Sequence, residues 1–207
     1  MAHKKTPPKK EATARGRPRS EKAQRAVLDA ARSLLEEGGY SAATTEAIAA
    51  RAGVAKTTIY RWWPNRATLL VDLLVTEANT VAPPPETGDG LQALRKELKG
   101  AAVAINGMTG RLLTSLLGEA QTDPEIRDAL LNRLFYPRTK HTAGAIGRAQ
   151  AAGDVRTDVP SHLAVDLFFG PLFYRMFVQH APVNEAVVKQ VTQYVLEGLR
   201  PRNTKRS

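Results

Sequence analysis

The sequence predicts an all-α protein: an amino-terminal three-helix unit containing a helix-turn-helix, then a helical bundle, about nine helices in all. Three observations predict it. Apolar residues recur at three- and four-residue spacing through nearly everything after Ser20. No alternating run is long enough to argue for a sheet. Glycine and proline breaks, such as "GGY" at 38–40 and "PPP" at 83–85, divide the chain into helix-sized pieces.

Taken in order, Ser20 is the expected cap of a first helix over 21–37, with Val27, Ala30, Ala31, Leu34 and Leu35 on one face. "GGY" stops it, because glycine takes the left-handed cap conformation freely. Thr44 caps a short helix, "TEAIAARAG", with Ile48 and Ala52 inward and Gly53 as its end. A second short helix over 54–63 is stopped by Pro64. Asn65 caps the next, "RATLLVDLLVTEAN", whose stripe is Leu69, Leu70, Leu73 and Leu74. "VAPPPETGDG" cannot continue a helix and reads as a linker. The expected organisation is therefore a basic arm (1–19), a helix-turn-helix unit (20–80), a linker (81–90), a helical bundle (91–200) and a basic tail (201–207). Within the bundle, helices are expected over 91–103, 111–120, 124–151, 161–180 and 184–199. Asp123-Pro124 supplies a cap and a first-turn proline. Pro137 and Gly170-Pro171 should bend their helices.

At 207 residues, 43% hydrophobic, the chain can bury a substantial core. It has no cysteine, which excludes disulfides, thiolate catalysis and cysteine-based zinc sites and fits a reducing compartment. No apolar run approaches the ~20 residues of a membrane span, and "MAHKKTPPKK" lacks the apolar core of a secretory signal. A cytoplasmic protein is the expectation. The four histidines, His3, His141, His162 and His180, form no metal spacing, and there is no phosphate loop, dinucleotide fingerprint or nucleophile elbow. Neither an enzyme nor a cofactor is expected.

The net charge is +10, and the tails carry it. Lys4, Lys5, Lys9, Lys10, Arg15, Arg17 and Arg19 face Glu11 alone at one end; Arg200, Arg202, Lys205 and Arg206 close the other. Arg51, Lys56, Arg61 and Arg66 form a further acid-free stretch between 47 and 71. A basic arm leading to a locally basic helical pair is the footprint of a polyanion-binding end. Two short helices joined by a glycine-containing turn match a helix-turn-helix, whose second helix fits the major groove of DNA. Lys56, Thr57 and Thr58 open that second helix, where free backbone N–H groups also favour an anion. Tyr60 and Arg61 follow, Arg66 opens the next helix, and Thr44 presents another helix start to the duplex. Ile59 and Trp63 share one face, read as core; Lys56 and Tyr60 share another, turned to DNA. Trp62 reads equally as a sugar-phosphate contact or as cover for the rim. "RGRP" at 15–18 suggests an arm with Arg17 in the adjacent minor groove.

"TTEAIAARAGVAKTTIYRWWPNRATLL" resembles the DNA-binding segment of TetR-family transcriptional regulators. The shared features are a capping Thr, Ile-Ala, Ala-Gly-Val, Thr-x-Tyr, an aromatic and Leu-Leu, over about residues 20–74. "GPLFYRMFV" at 170–178 is similar to a ligand-binding-domain motif in one branch of that family. The resemblance implies a phosphate contact for the Tyr60 hydroxyl, a homodimer, and a small-molecule effector bound in the bundle. Ala55 stands where the family often has Ser, Thr57 where it often has Gly and Trp62 where it usually has His, so no operator sequence carries over.

In the bundle, residues 161–178 are apolar almost all round and demand cover on two sides. A partner chain is expected against this helix and the last one, which places Phe168, Leu172, Val187, Val191, Tyr194 and Val195 at a dimer interface. Leu112, Leu116, Phe135, Phe168, Phe169, Met176 and Phe177 are candidate effector contacts, with His141 on the face of Ile126, Leu130 and Leu134 as a polar one. The expected function is a repressor released from a palindromic operator by a small apolar molecule. The rival is an architectural DNA-binding protein whose body only dimerises.

Overall fold

A computed structural model describes residues 17–84 and 88–201, with side chains from Glu21 onward, and every regular element among them is helical. Helix α1 (Arg17–Ala42) runs through a break at Gly39, whose φ of 70° and ψ of −164° are non-helical. The first helix therefore starts three residues before the expected Ser20 cap. The Arg17 side chain, the rest of the arm and most of the basic tail lie outside the described residues.

Helix α2 (Thr45–Ala52) is capped by Thr44, whose hydroxyl accepts from the Ala47 N–H at 3.1 Å. Gly53 ends it at φ 65°, a left-handed conformation that costs a side-chain-bearing residue strain. Helix α3 spans only Lys56–Tyr60, shorter than the expected 54–63, and its cap position Ala55 offers no side-chain oxygen. Helix α4 (Arg66–Val81) opens with a reciprocal capping box between Asn65 and Thr68.

The bundle is built from α5 (Gly90–Asn106), α6 (Met108–Glu119), α7 (Pro124–Leu130), α8 (Tyr136–Ala151), α9 (Ser161–Val178) and α10 (Glu185–Gly198). Between α7 and α8 lies a π-helical turn, Leu131–Phe135. Pro137 explains it. A proline ring clashes with the carbonyl four residues back and has no N–H to give. The chain accommodates it by one wider turn, in which the Tyr136 N–H reaches the Leu131 carbonyl. Counting α7, this turn and α8 as one path gives nine helices among the described residues. The expected bend at Gly170-Pro171 does not divide α9, which includes Pro171.

Two apolar clusters hold the molecule together. The first joins Val27, Ile48, Ile59, Trp63 and the α4 leucines to Leu112, Leu116, Ile126, Leu130, Leu134 and Met176. It therefore crosses from the helix-turn-helix unit into the bundle, with α4 packed on α5, α6, α7 and the π turn. The second, around Leu94, Leu98, Ile146, Phe168 and Leu172, is the far end of the bundle. No helix among the described residues is long and apolar enough to cross a membrane.

Candidate DNA-reading face and effector cavity

Helix α3 has two faces because its residues alternate in character at helical spacing. Ile59 is 1% exposed and Trp63 4%, both in the first cluster. The Trp63 indole N–H donates to Asp72 on α4 at 2.7 Å, and Asp72 also accepts from Arg133 at 2.6 Å. This anchors the segment that follows α3 to α4 and to the π turn. On the other side Lys56, Thr57, Tyr60 and Arg61 are exposed, with Thr58 half-buried and Thr44 exposed nearby. Tyr60 keeps 49% of its surface. Trp62 is half-buried, edge-on to Trp63 at 5.7 Å, and the Arg61 guanidinium lies 5.4 Å from its ring centre. That arrangement lets Trp62 cover the rim while Arg61 remains a surface cation.

Two features depart from the sequence reading. The stretch around Lys56 is acid-free along the chain but not in space. Glu46 on α2 accepts from Lys56 at 2.9 Å, and Glu37 on α1 accepts from Arg51 at 2.6 Å. The hydrogen bond to Glu46 raises the Lys56 pKa and lowers that of Glu46. Both pairs are exposed, so a phosphate can replace either carboxylate at little cost. Arg66, expected at the duplex, is half-buried and makes its contacts within the chain. It pairs with Glu119 on α6 at 3.1 Å, lies 4.4 Å over the Tyr40 ring and reaches the Tyr40 carbonyl at 3.4 Å. Its place at the start of α4, against α6, makes it a link between the two units. Burial raises the Tyr40 pKa, so this phenol stays neutral.

Helix α4 and the bundle helices α5, α6, α8 and α9, with the π turn, line a partly open cavity of about 460 Å³. Phe135 and Phe169 are part of its wall. Leu112, Leu116 and Phe168 are not: each is sealed in a core cluster. Met176 is likewise buried, and Phe177 is exposed on the outer side of α9. His141 is exposed too. The π turn is the reason, since its extra residue rotates everything after Phe135 by about a quarter turn. Thr142, not His141, continues the face of Ile126, Leu130 and Leu134. Phe168 and Leu172, both fully buried within their own chain, are also withdrawn from any dimer face. The exposed apolar residues of α9 are Leu163, Leu167, Tyr174, Phe177 and Val178.

Apolar spacing gives no hint of the polar lining. Glu97, Arg138, Thr139, Thr142 and Asp166 all border the cavity. One signal was readable: Glu97 sits between Leu94, Leu98 and Ala101 on the apolar stripe of α5, a position where a carboxylate is out of place. Among the described residues no group of three metal-ligating side chains occurs.

Comparison with known proteins agrees with this architecture. Residues 27–73 match the family model described as "Bacterial regulatory proteins, tetR family", and residues 84–195 match "Tetracyclin repressor-like, C-terminal domain". The chain belongs to the TetR family. This TetR-family chain is 32% identical over 186 residues to the uncharacterized HTH-type transcriptional regulator YdeS of Bacillus subtilis (strain 168), covering 90% of this chain and 94% of that one. It is 29% identical over 186 residues to the DNA-binding transcriptional repressor TetR of Mycobacteroides abscessus, covering 86% and 94%. The crystal structure of the TetR family transcription regulator SCO0332 superposes with a TM-score of 0.75 at 30% identity, over 87% of this chain and all of that one. The protein is a DNA-binding transcriptional regulator of this family, and nothing in the comparisons supports the architectural alternative.

Proposed function

We propose that this TetR-family regulator is a homodimeric repressor, released from a palindromic operator when a small, largely apolar effector enters the bundle cavity. The observation that carries the reading is the double duty of α4. Leu74 and Ala78 form cavity wall, while Asp72, on the same helix, holds Trp63 in the segment that follows the reading helix. The π turn supplies a second connection, because Leu134 and Phe135 line the cavity while the adjacent Arg133 holds Asp72. An effector that displaces α4 thus moves the reading head through packed side chains, and operator and effector weaken each other reciprocally.

Dimerisation supplies the second reading head. On α9, Leu163, Leu167, Gly170, Tyr174 and Phe177 repeat at alternating steps of four and three, the spacing of a helix-packing seam. Four of these five are large exposed apolar residues, and Gly170 leaves room for close approach. On α10 the corresponding seam is Val187, Val191 and Tyr194, with Tyr194 65% exposed and Val195 half-buried beside it. Two such helices from each chain make a four-helix interface that sets the spacing of the α3 helices along the duplex. The phosphate contacts assigned are Thr44, Lys56 and the Tyr60 hydroxyl; Thr57, Thr58 and Arg61 are the base-facing candidates.

Fluorescence anisotropy tests this with duplexes tiling the DNA that flanks the gene. A window bound at least a hundredfold more tightly than random duplex at equal salt supports it, with two chains per site. Equal affinity for every duplex would reject it.

A further inference from the structure

The cavity has a chemical asymmetry that its apolar volume hides. Glu97 is only 3% exposed yet borders the cavity. Its two carboxylate oxygens each lie 2.8 Å from the Thr142 hydroxyl, which is also 3.0 Å from the Arg138 carbonyl. One hydroxyl has one proton. Three acceptors compete for it, while an ionised carboxylate has about four lone-pair sites to fill. The neighbouring guanidinium makes no hydrogen bond to it: two of the five N–H groups of Arg138 go to the Ala82 carbonyl at 2.8 Å and to the Asn79 amide oxygen at 3.3 Å. When ionised, the Glu97 carboxylate is thus short of donors.

We propose that the cavity selects a cationic amphiphile, an apolar body carrying one protonated amine that donates to the Glu97 carboxylate. The inference rests on the cavity being the effector site, and adds the charge class of what enters it. The apolar body would lie against Leu74, Ile105, Leu113, Phe169 and Phe173, which with small residues make up most of the wall. An ammonium head offers the carboxylate the donors that Thr142 cannot supply. The remaining charges agree. The lining holds two carboxylates, Glu97 and Asp166, against one guanidinium, Arg138. Once Glu97 is ionised, a carboxylate ligand would meet that excess of negative charge, while Arg138 donates to Asn79 and Ala82.

Burial raises the Glu97 pKa, opposed by the Thr142 hydrogen bond and by Arg138 and His141. The charged or titratable groups acting on it are Arg138 and, from outside the cavity, His141, both on α8; Asp166 of α9 shares the lining, α4, α6 and the π turn place no titratable side chain on the cavity, and α10 does not line it. An amine binds the ionised form. Its affinity therefore rises with pH until Glu97 is fully ionised, by up to tenfold per pH unit below that point.

The test is calorimetric binding of decylamine, decanol and decanoate, below their micelle concentrations, to the full chain without DNA. Decylamine should bind about tenfold or more tighter than decanol, with decanoate weakest, and decanol should compete with it. Glu97→Gln, which keeps the shape and can still accept from Thr142, should weaken decylamine by about ten- to a hundredfold and leave decanol unchanged. Decanoate binding best, or decylamine indifferent to Glu97→Gln, overturns the charge assignment and leaves the cavity standing as an effector site. No binding by any of the three overturns both. Should Glu97→Gln not fold, the wild-type profile between about pH 5 and 8 decides. Decylamine affinity rising against a flat decanol profile supports the proposal; parallel profiles reject it.

Discussion

Tyr60 and Ile59 are neighbours in the chain with opposite surroundings, one half-exposed and one enclosed, because successive helical residues point about a hundred degrees apart. The Tyr60 phenol reaches solvent without supporting the core, so Tyr60→Phe should leave the melting temperature unchanged. It should weaken operator binding by about five- to tenfold, the value of one hydrogen bond, and unchanged affinity in a gel-shift titration would remove its phosphate role. This two-faced character was readable from the four-residue spacing of Ile59 and Trp63 against Lys56 and Tyr60. The fate of Arg66 was not. Its partners Glu119 and Tyr40 lie 53 and 26 positions away, and no local pattern links them. Glu46 beside Lys56 is an intermediate case, ten residues distant and brought in by the Gly53 turn.

At the level of elements, one proline changed the register of a whole helix. The kink at Pro137 was expected, but its form, a π turn, moved Thr142 inward and His141 out. Periodicity cannot reveal an inserted residue when both phases of the helix remain plausible. Thr142 then meets Glu97 across the bundle, and the pair carries a stability consequence. A carboxyl whose folded pKa lies above its unfolded value stabilises the fold only while protonated. That contribution is present below the ordinary glutamate range and fades as pH rises through the raised value. Glu97→Gln removes the charge that must otherwise be buried. Denaturation in urea should therefore show this variant gaining stability relative to the wild type from acidic to neutral pH. A constant difference across that range would mean that Glu97 is not held protonated by burial.

For the assembled molecule, the exposed seam on α9 and the basic arm give two independent tests. Leu167 is 44% exposed in the single chain, so Leu167→Asp should leave the subunit folded by circular dichroism. Sedimentation should find it monomeric, with operator affinity abolished because the two reading heads no longer act together; a native dimer would place the interface elsewhere. Deleting residues 1–16 removes Lys4, Lys5, Lys9, Lys10 and Arg15 together with the single acid Glu11. The slope of log affinity against log salt should fall by about one for each phosphate that the arm neutralises, and an unaltered slope would show the arm idle on DNA. The first apolar cluster joins Ile59 and Trp63 to the cavity residues Leu74, Ala78, Leu113 and Leu134, so α3 and the cavity wall share one packed core.

By itself, the chain's periodicity and punctuation determined which segments are helices, where the helix-turn-helix lies and which face of α3 is wet. Capping threonine, left-handed glycine and apolar spacing act over a few residues, and their physics is written locally. Only the tertiary structure decided that Arg66 links the two units, that Phe168 and Leu172 are core rather than interface, and that the cavity is walled by Phe135 and Phe169 with Glu97 and Thr142 inside it. Those outcomes depend on which helices meet and at what rotation. Packing between residues dozens of positions apart sets that rotation, together with one widened turn that leaves no mark on the apolar spacing.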